Sequence, residues 1–281
     1  MAKHSQNGYT LYSSRQFLYS LTASVVSGNL HYESLFAPRD LPISSEGALN
    51  GAAIYLEPRD SGMYELLAEY YPSAKFRAIT APGAEHPILY EVLISRDQLR
   101  NITGVEATFR HGDLIVQKKK IDRFSSKWVK DLTDINLPAT FILESNLHVR
   151  RSGIYQFEVS GKGQLYIDDL PYLKYQDSIS LGAGLHNIRV EGMALTESGF
   201  TELLWGKYGD TLEPIQATEL FIGQVRPMGL HGVIYKESQP MDSHIGIPTD
   251  AFYYDSPVEG IYKAYWFGLL KVSIPGKYQF R

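Results

Sequence analysis

The 281-residue sequence contains no cysteine and no long hydrophobic run. The absence of cysteine excludes disulfides, thiolate metal sites and a cysteine nucleophile. A membrane-spanning helix needs about 20 mostly apolar residues, and no segment reaches that length. The first residues, Met1–Ser5, lack the apolar core of a signal peptide. We therefore expect any export signal or membrane anchor to lie outside this chain.

The sequence also lacks an excess of basic residues. Its formal net charge is -4 and its pI is about 6.1, and the basic run Lys118–Lys120 is closely followed by Asp122. Nucleic-acid binding requires a basic face, so we expect no nucleic-acid partner. No HExxH, GxSxG or GxGxxG motif is present. We therefore expect no catalytic residue, no metal and no cofactor in this chain, and whether the parent protein is an enzyme stays open.

The first hundred residues alternate between helix and strand patterns. Tyr12–Val26 has apolar residues near the 3.6-residue spacing of a helix, and a second helix is predicted between Asp60 and Pro72. The predicted strands of this part are His31–Phe36, Ala52–Leu56, Phe76–Thr80 and Leu89–Ile94. This order of elements predicts a small α/β layer domain over residues 1–103.

Helix patterns end near Thr103, and short alternating runs bounded by turn residues follow. In Tyr155–Val159, for example, alternate residues are predicted to share one buried face. Such runs are typical of an antiparallel β-sandwich, which we assign to residues 104–225. The predicted strands are Val105–Arg110, Ala139–Glu144, Leu147–Val149, Ile154–Val159, Gln164–Asp168, Ser178–Leu181, Gly184–Val190 and Glu202–Trp205.

Five motifs follow one another along this predicted sandwich. They are Gly104–Phe109, Gly153–Phe157, Leu165–Asp169, Leu181–Val190, and Leu203–Trp205 followed by Pro214-Ile215. In this order they resemble the protective-antigen-type domain, a β-sandwich found in glycosidases, glycosyltransferases, proteases, adhesins and a bacterial toxin component. Most of the motif residues have a structural reading. We expect Tyr155, Phe157 and Trp205 to fill the core, His186 to be a hydrogen-bonded structural residue, and Asp168-Asp169 to form a hairpin turn.

One departure from that family concerns calcium. Its calcium-dependent, sugar-binding members carry an Asp-Asp pair just before the Leu-Tyr-Ile strand, where this sequence has Ser160–Gln164. A hard cation requires several oxygen ligands, and Lys162 opposes its binding. The resemblance therefore does not extend to a calcium site, and no metal ligand is predicted.

The sandwich pattern begins again near the C-terminus. Leu147–Phe157 and Leu270–Phe280 share six of eleven residues at a constant offset, and Gly229–Tyr235 echoes the opening strand at Gly104. Two ordered echoes indicate an internal repeat. We therefore predict a truncated second β-sandwich repeat over residues 226–281. The expected fold class is α+β overall, with an N-terminal α/β layer domain, an antiparallel β-sandwich and this truncated repeat.

The region ahead of the sandwich is similar to a second family. The segments Ile54–Glu57, Tyr70–Phe76 and Tyr90–Ile94 resemble the soluble C-terminal region of bacterial membrane glycosyltransferases of the dolichyl-phosphate-mannose type. In these proteins a transmembrane bundle carries out catalysis and the soluble part faces outside. The resemblance implies an extracytoplasmic, non-catalytic region that binds glycans or positions the acceptor, tethered by transmembrane segments absent from this chain.

The region of the Leu165–Asp169 hairpin and the loop after it is predicted to contact carbohydrate. Its polar side chains and aromatic rings can bond to and stack on a sugar, although Tyr is also common in the cores of β-sandwiches. The predicted binding residues are Asp168, Asp169, Tyr172, Lys174 and Tyr175. An alternative function is a carbohydrate-binding accessory module of a secreted glycoside hydrolase or a cell-surface adhesin. A pure interaction scaffold is a third reading.

Overall fold

The structure of the chain is a computed structural model. It describes residues 2–14, 33–35, 40–44, 49–111, 114–126, 139–151, 153–173, 178–194, 201–225, 230–236, 239–246, 263–267, 276, 277 and 279. Within these residues the α-helices are α1 (Ala2–Gln6), α2 (Ser61–Tyr70) and α3 (Arg96–Asn101). None of the described helices is long and apolar enough to cross a membrane.

Five strands form the N-terminal sheet. They are β1 (Tyr9–Ser14), β2 (Glu33–Leu35), β3 (Gly51–Leu56), β4 (Lys75–Ile79) and β5 (Leu89–Ser95). Their order is β2-β1-β3-β5-β4, with β1 parallel to β2 and β3, and β5 antiparallel to β3 and β4. All residues of β3 are buried, as expected for a central strand covered on both faces.

The predicted α+β fold class and the predicted N-terminal α/β layer domain are wrong. Strand accounts for 54% of the structure and helix for 15%, and the described strands form three sheets. The residues Tyr12–Ser14, which the apolar spacing assigns to a helix, instead lie in β1 and are buried. Tyr12 and Ser13 pair with β2 and β3, and Ser14 pairs with β2. Tertiary pairing thus overrides the local helical pattern. The remainder of that predicted helix, residues 15–26, lies outside the described residues.

Helix α2 joins the N-terminal sheet to the sandwich through one shared core. The helix begins after Asp60, as the sequence predicts, and its apolar face packs on the sheet. The helix residues in this core are Met63, Leu66, Leu67 and Tyr70, and the residues from the sandwich region are Leu185, Phe221 and Val225. Gln224 Nε2 adds a hydrogen bond of 2.8 Å to the Tyr70 carbonyl oxygen. The two parts are therefore packed against each other rather than joined only by the chain.

Two further sheets form a β-sandwich. The strands of the first sandwich sheet are β6 (Val105–His111), β7 (Leu114–Ile121), β8 (Ala139–Val149), β10 (Gly163–Ile167), β11 (Leu170–Tyr172), β13 (Gly184–Ala194) and β16 (Leu220–Phe221). The strands of the second sandwich sheet are β9 (Gly153–Ser160), β12 (Ile179–Leu181), β14 (Glu202–Lys207), β15 (Glu213–Pro214), β17 (Leu230–Lys236), β18 (Gln239–Gly246) and β19 (Lys263–Phe267). The orders are β11-β10-β13-β8-β6-β7, with β16 beside β8, and β15-β14-β9-β12-β18-β17-β19.

The main core of the sandwich lies between these two sheets. Alternate residues of β9 face it, so Tyr155 and Phe157 are buried as predicted. Phe109 and Phe141, from the first sandwich sheet, pack with their ring centroids 6.3 Å apart. The burial of such rings is the main source of stability for a sandwich of this kind.

Some of the described strands differ from the predicted strands or have no counterpart among them. The segments Ala139–Glu144 and Leu147–Val149 form one long strand, β8, which pairs with β13 along its whole length. The basic run Lys118–Lys120 lies in strand β7, which the composition of the segment does not predict. Strand β7 is at the edge of its sheet, where exposed lysines also discourage edge-to-edge association.

Strands β17, β18 and β19 extend the second sandwich sheet through a parallel contact of β18 with β12. The hairpin β17–β18 repeats the strand lengths of β6–β7, with the register shift at the corresponding position. Strand β19 pairs with β17 as β8 pairs with β6. These correspondences parallel the sequence echoes, but in the structure these strands continue an existing sheet.

Candidate functional site

The Asp168-Asp169 pair forms a two-residue turn between β10 and β11. Ile167 and Leu170 are the paired residues that close it. Both aspartates have positive φ, 49° and 64°. Two-residue hairpins favour positive φ at both positions, and Asp tolerates it better than most residues. The structure thus contains the hairpin turn that the sequence predicts here.

The Asp168 carboxylate is held by hydrogen bonds inside the protein. Its Oδ1 accepts a bond of 2.9 Å from the Asn187 backbone N–H, and its Oδ2 lies 2.7 Å from Nδ1 of His186. His186 is fully buried, and its Nε2 donates to the Gly182 carbonyl oxygen at 2.9 Å, because a carbonyl oxygen can only accept. This arrangement ties the hairpin to β13 and to the β12–β13 connection, which is the structural role predicted for His186.

Asp168, Asp169 and Tyr172, the described members of the predicted carbohydrate-binding set, do not form an exposed cluster. Asp169 is exposed at the turn, whereas Tyr172 is buried, with its ring centroid 5.8 Å from that of Phe157. Lys174 and Tyr175 lie outside the described residues. Among the described members, only Asp169 presents its side chain to solvent. Sugar binding at this hairpin stays a prediction.

An open groove lies at the same end of the sandwich as the hairpin. The β8–β9 turn, the β14–β15 hairpin and the 3-10 turn Ala217–Glu219 enclose about 750 Å³. We call this the Trp205 groove. It is lined by Arg150, Arg151, Tyr155, Trp205, Gly206, Lys207, Asp210, Thr211, Glu213, Pro214, Gln216 and Glu219. Small-molecule sites commonly measure roughly 300–1,000 Å³.

Trp205 and Tyr155 supply the aromatic part of the groove. Their rings are stacked, with centroids 5.3 Å apart and an interplanar angle of 9°. Strand register explains the stacking, because Trp205 pairs directly with Phe157 and lies diagonally opposite Tyr155 on the same face. Tyr155 is buried, whereas Trp205 is only half-buried. The indole therefore closes the core at this end and also presents part of its surface to the groove.

The Tyr155 hydroxyl fixes the turn beside the groove. It donates a hydrogen bond of 2.6 Å to the Arg151 carbonyl oxygen. Burial raises the pKa of the Tyr155 hydroxyl, the Glu219 carboxylate raises it further, and the Arg151 guanidinium opposes the rise. The phenol therefore stays protonated at neutral pH and keeps donating to the turn.

The polar side chains of the groove carry both signs of charge. Acidic and basic groups are equal in number, so the groove has no strong preference for an ion of either sign. The charged residues are Arg150, Arg151, Lys207, Asp210, Glu213 and Glu219. Across the described residues, no three His, Asp or Glu side chains lie close enough together to hold a metal ion. The chemistry available in the groove is therefore hydrogen bonding combined with aromatic stacking.

Sequence reasoning misses this groove because it assigns Tyr155 and Trp205 wholly to the core. Most of the Tyr155 ring does lie there, and period-two alternation cannot distinguish a central position from one at the open end of a strand. The sequence feature that could have indicated the groove is the polar turn after Trp205, Lys207–Pro214. This turn places charged groups beside the end of a strand that carries an aromatic residue.

No protein-family model and no curated protein matches this chain. Solved structures resemble parts of it. An anti-sigma factor domain-containing protein from Clostridium clariflavum is 16% identical, with a TM-score of 0.37 over 51% of this chain and 59% of its own. The transport component C2-II of the C2-toxin from Clostridium botulinum is 14% identical, with a TM-score of 0.36 over 50% of this chain and 34% of its own.

A β-glucosidase from Kluyveromyces marxianus is 19% identical, with a TM-score of 0.32 over 38% of this chain and 17% of its own. This chain therefore spans less than two thirds of the length of each of the three proteins. These comparisons show no link to a glycosyltransferase, so that resemblance stays a prediction. The chain itself is a mostly β, sandwich-like protein.

Proposed function

We propose that this chain binds a glycan in the Trp205 groove. The observation that carries the proposal is the half-buried indole of Trp205, stacked on Tyr155 in an open groove of charged and amide side chains. An aromatic ring packs against the apolar face of a sugar, while the surrounding groups bond to its hydroxyls. Because the charges of the groove balance, a neutral glycan fits it better than a strongly charged one.

We also propose in which kind of protein, and in which compartment, this glycan binding takes place. The chain is an extracytoplasmic, non-catalytic region of a membrane glycosyltransferase, at the periplasm or cell surface, and it holds a glycan or glycoconjugate acceptor. Support comes from the sequence motifs at Ile54–Glu57, Tyr70–Phe76 and Tyr90–Ile94. The membrane tether in this proposal is supplied by segments outside the chain.

Replacing Trp205 by alanine should weaken glycan binding by at least about tenfold, because truncating a Trp at a binding site removes a large, partly desolvated contact. The measurement is a glycan array with the 281-residue chain, with and without calcium, followed by titration of the strongest ligand. The matched control is Tyr208→Ala, which removes an aromatic ring that is 58% exposed on the adjoining turn and does not line the groove.

Two results would contradict the proposal. One is the absence of binding to any glycan by the wild-type chain in either condition. The other is unchanged affinity in Trp205→Ala. The variants Lys174→Ala and Tyr175→Ala test the predicted hairpin site in the same assay. If these two lose binding and Trp205→Ala keeps it, the glycan lies at the hairpin instead.

A further inference from the structure

A second cavity lies where the N-terminal sheet meets the same end of the sandwich. It measures about 370 Å³. Tyr12 and Glu33, from neighbouring parallel strands, contribute to one side, and His148 and Arg150, from the end of β8 and the turn after it, contribute to the other. Residues of the N-terminal sheet and residues of the sandwich therefore line this second cavity together.

The two cavities adjoin each other. Arg150 lines both of them. On the opposite side, the 3-10 turn places Thr218 in the second cavity and the next residue, Glu219, in the Trp205 groove. The two cavities thus share the Arg150 side chain in their linings and take consecutive residues of the same short turn.

We propose that the two cavities form one extended site for a linear oligosaccharide, with one sugar on Trp205 and further units running past Arg150 toward Glu33. This inference rests on the proposed glycan binding and adds the length of the ligand to it. A monosaccharide occupies the Trp205 groove alone, whereas a longer chain also reaches hydrogen-bonding groups of the N-terminal sheet.

The lining of the second cavity fits further sugar units rather than a phosphate or a metal. Its two carboxylates, Glu33 and Asp40, outnumber the single guanidinium of Arg150, so the lining does not favour an anion. The neighbouring serine, threonine and tyrosine hydroxyls match those of a sugar. Buried Pro42 and Ile43 add an apolar patch. The described residues contain no three-ligand group for a cation. A neutral ligand with many hydroxyl groups matches this combination of polar and apolar side chains best.

The test is a titration of the 281-residue chain with neutral sugars of increasing length. The probes are mannose, glucose and N-acetylglucosamine series from the monosaccharide to the linear hexasaccharide. In the series that binds, affinity should rise by about tenfold or more from monosaccharide to tetrasaccharide, the change that one or two additional net hydrogen bonds produce.

The variant Glu33→Gln should remove most of that gain and leave monosaccharide affinity unchanged. Glu33 is exposed, so the fold tolerates the change. The control is Glu106→Gln, an equally conservative change at an exposed position on β6, away from both cavities. Equal affinity for sugars of every length would overturn the extended site. So would a gain in affinity with sugar length that is unchanged in Glu33→Gln. In both cases glycan binding in the Trp205 groove is not contradicted. If the chain binds none of these sugars, the extended site is wrong. The glycan array then tests separately whether the Trp205 groove binds any glycan.

Discussion

Replacement of His186 by alanine is expected to lower the free energy of unfolding by about 3–5 kcal/mol, the cost of leaving a buried carboxylate without its hydrogen-bonding partner. The imidazole is fully buried. Its loss leaves the Asp168 carboxylate, whose side chain is 6% exposed, without its 2.7 Å contact to the ring. It also removes the donor to the Gly182 carbonyl oxygen and creates a cavity, which adds to the cost.

Chemical denaturation of the 281-residue chain measures this loss. The control is Asp169→Asn, because Asp169 is exposed and Asn also tolerates its φ of 64°. That change should alter stability by less than about 0.5 kcal/mol. Adding Asp168→Asn to His186→Ala should cost less than the sum of the single changes, since the second removes the stranded charge. A loss below about 1 kcal/mol for His186→Ala would contradict the structural role of this pair.

Replacement of Gly51 by alanine should be at least as damaging as a typical core truncation, with an expected loss of about 3 kcal/mol or more. Gly51 opens β3 with a φ of 137°, a conformation that L-residues rarely adopt. A Cβ placed there would lie 2.0 Å from the Ile94 carbonyl oxygen, which is backbone and cannot swing away. Relief of this clash would shift β3 against β5, where Ala52 and Ile94 are paired.

Gly62 provides the matched control for that change. It lies in the first turn of α2, and a Cβ there would meet no atom within 4 Å. Gly62→Ala should therefore raise stability by about 0.5 kcal/mol, because alanine loses less conformational freedom in a helix. Thermal melts of both variants measure the contrast. Similar melting temperatures for Gly51→Ala and Gly62→Ala would show that β3 does not pack against β5 in this register.

The sequence predicts the parts of this fold that depend on local chemistry. The Asp168-Asp169 turn follows from the ability of Asp to adopt positive φ, and the buried face of β9 follows from its alternating residues. Helix α2 is predictable because its apolar spacing lies between Asp60 and Pro72. In each case the signal is contained within a few consecutive residues.

Features that depend on distant partners were not predictable in this way. Tyr12–Ser14 matches a helical spacing, yet these residues form a strand because β2 pairs with all three and β3 pairs with Tyr12 and Ser13. The Trp205 groove brings together turns from three parts of the chain, and its second cavity adds the N-terminal sheet. No pattern within a few consecutive residues indicates that these segments lie close together, so the two cavities are found only in the structure.

A glycan bound in the Trp205 groove contacts the indole of Trp205. The chain has three tryptophans, and replacing Trp128 and Trp266 by phenylalanine leaves Trp205 as the only indole emitter. Titrating this variant with the strongest glycan from the array should shift or quench its fluorescence, and the change should saturate at the affinity measured by calorimetry. Calorimetric binding of the glycan without any change in Trp205 emission would contradict the account.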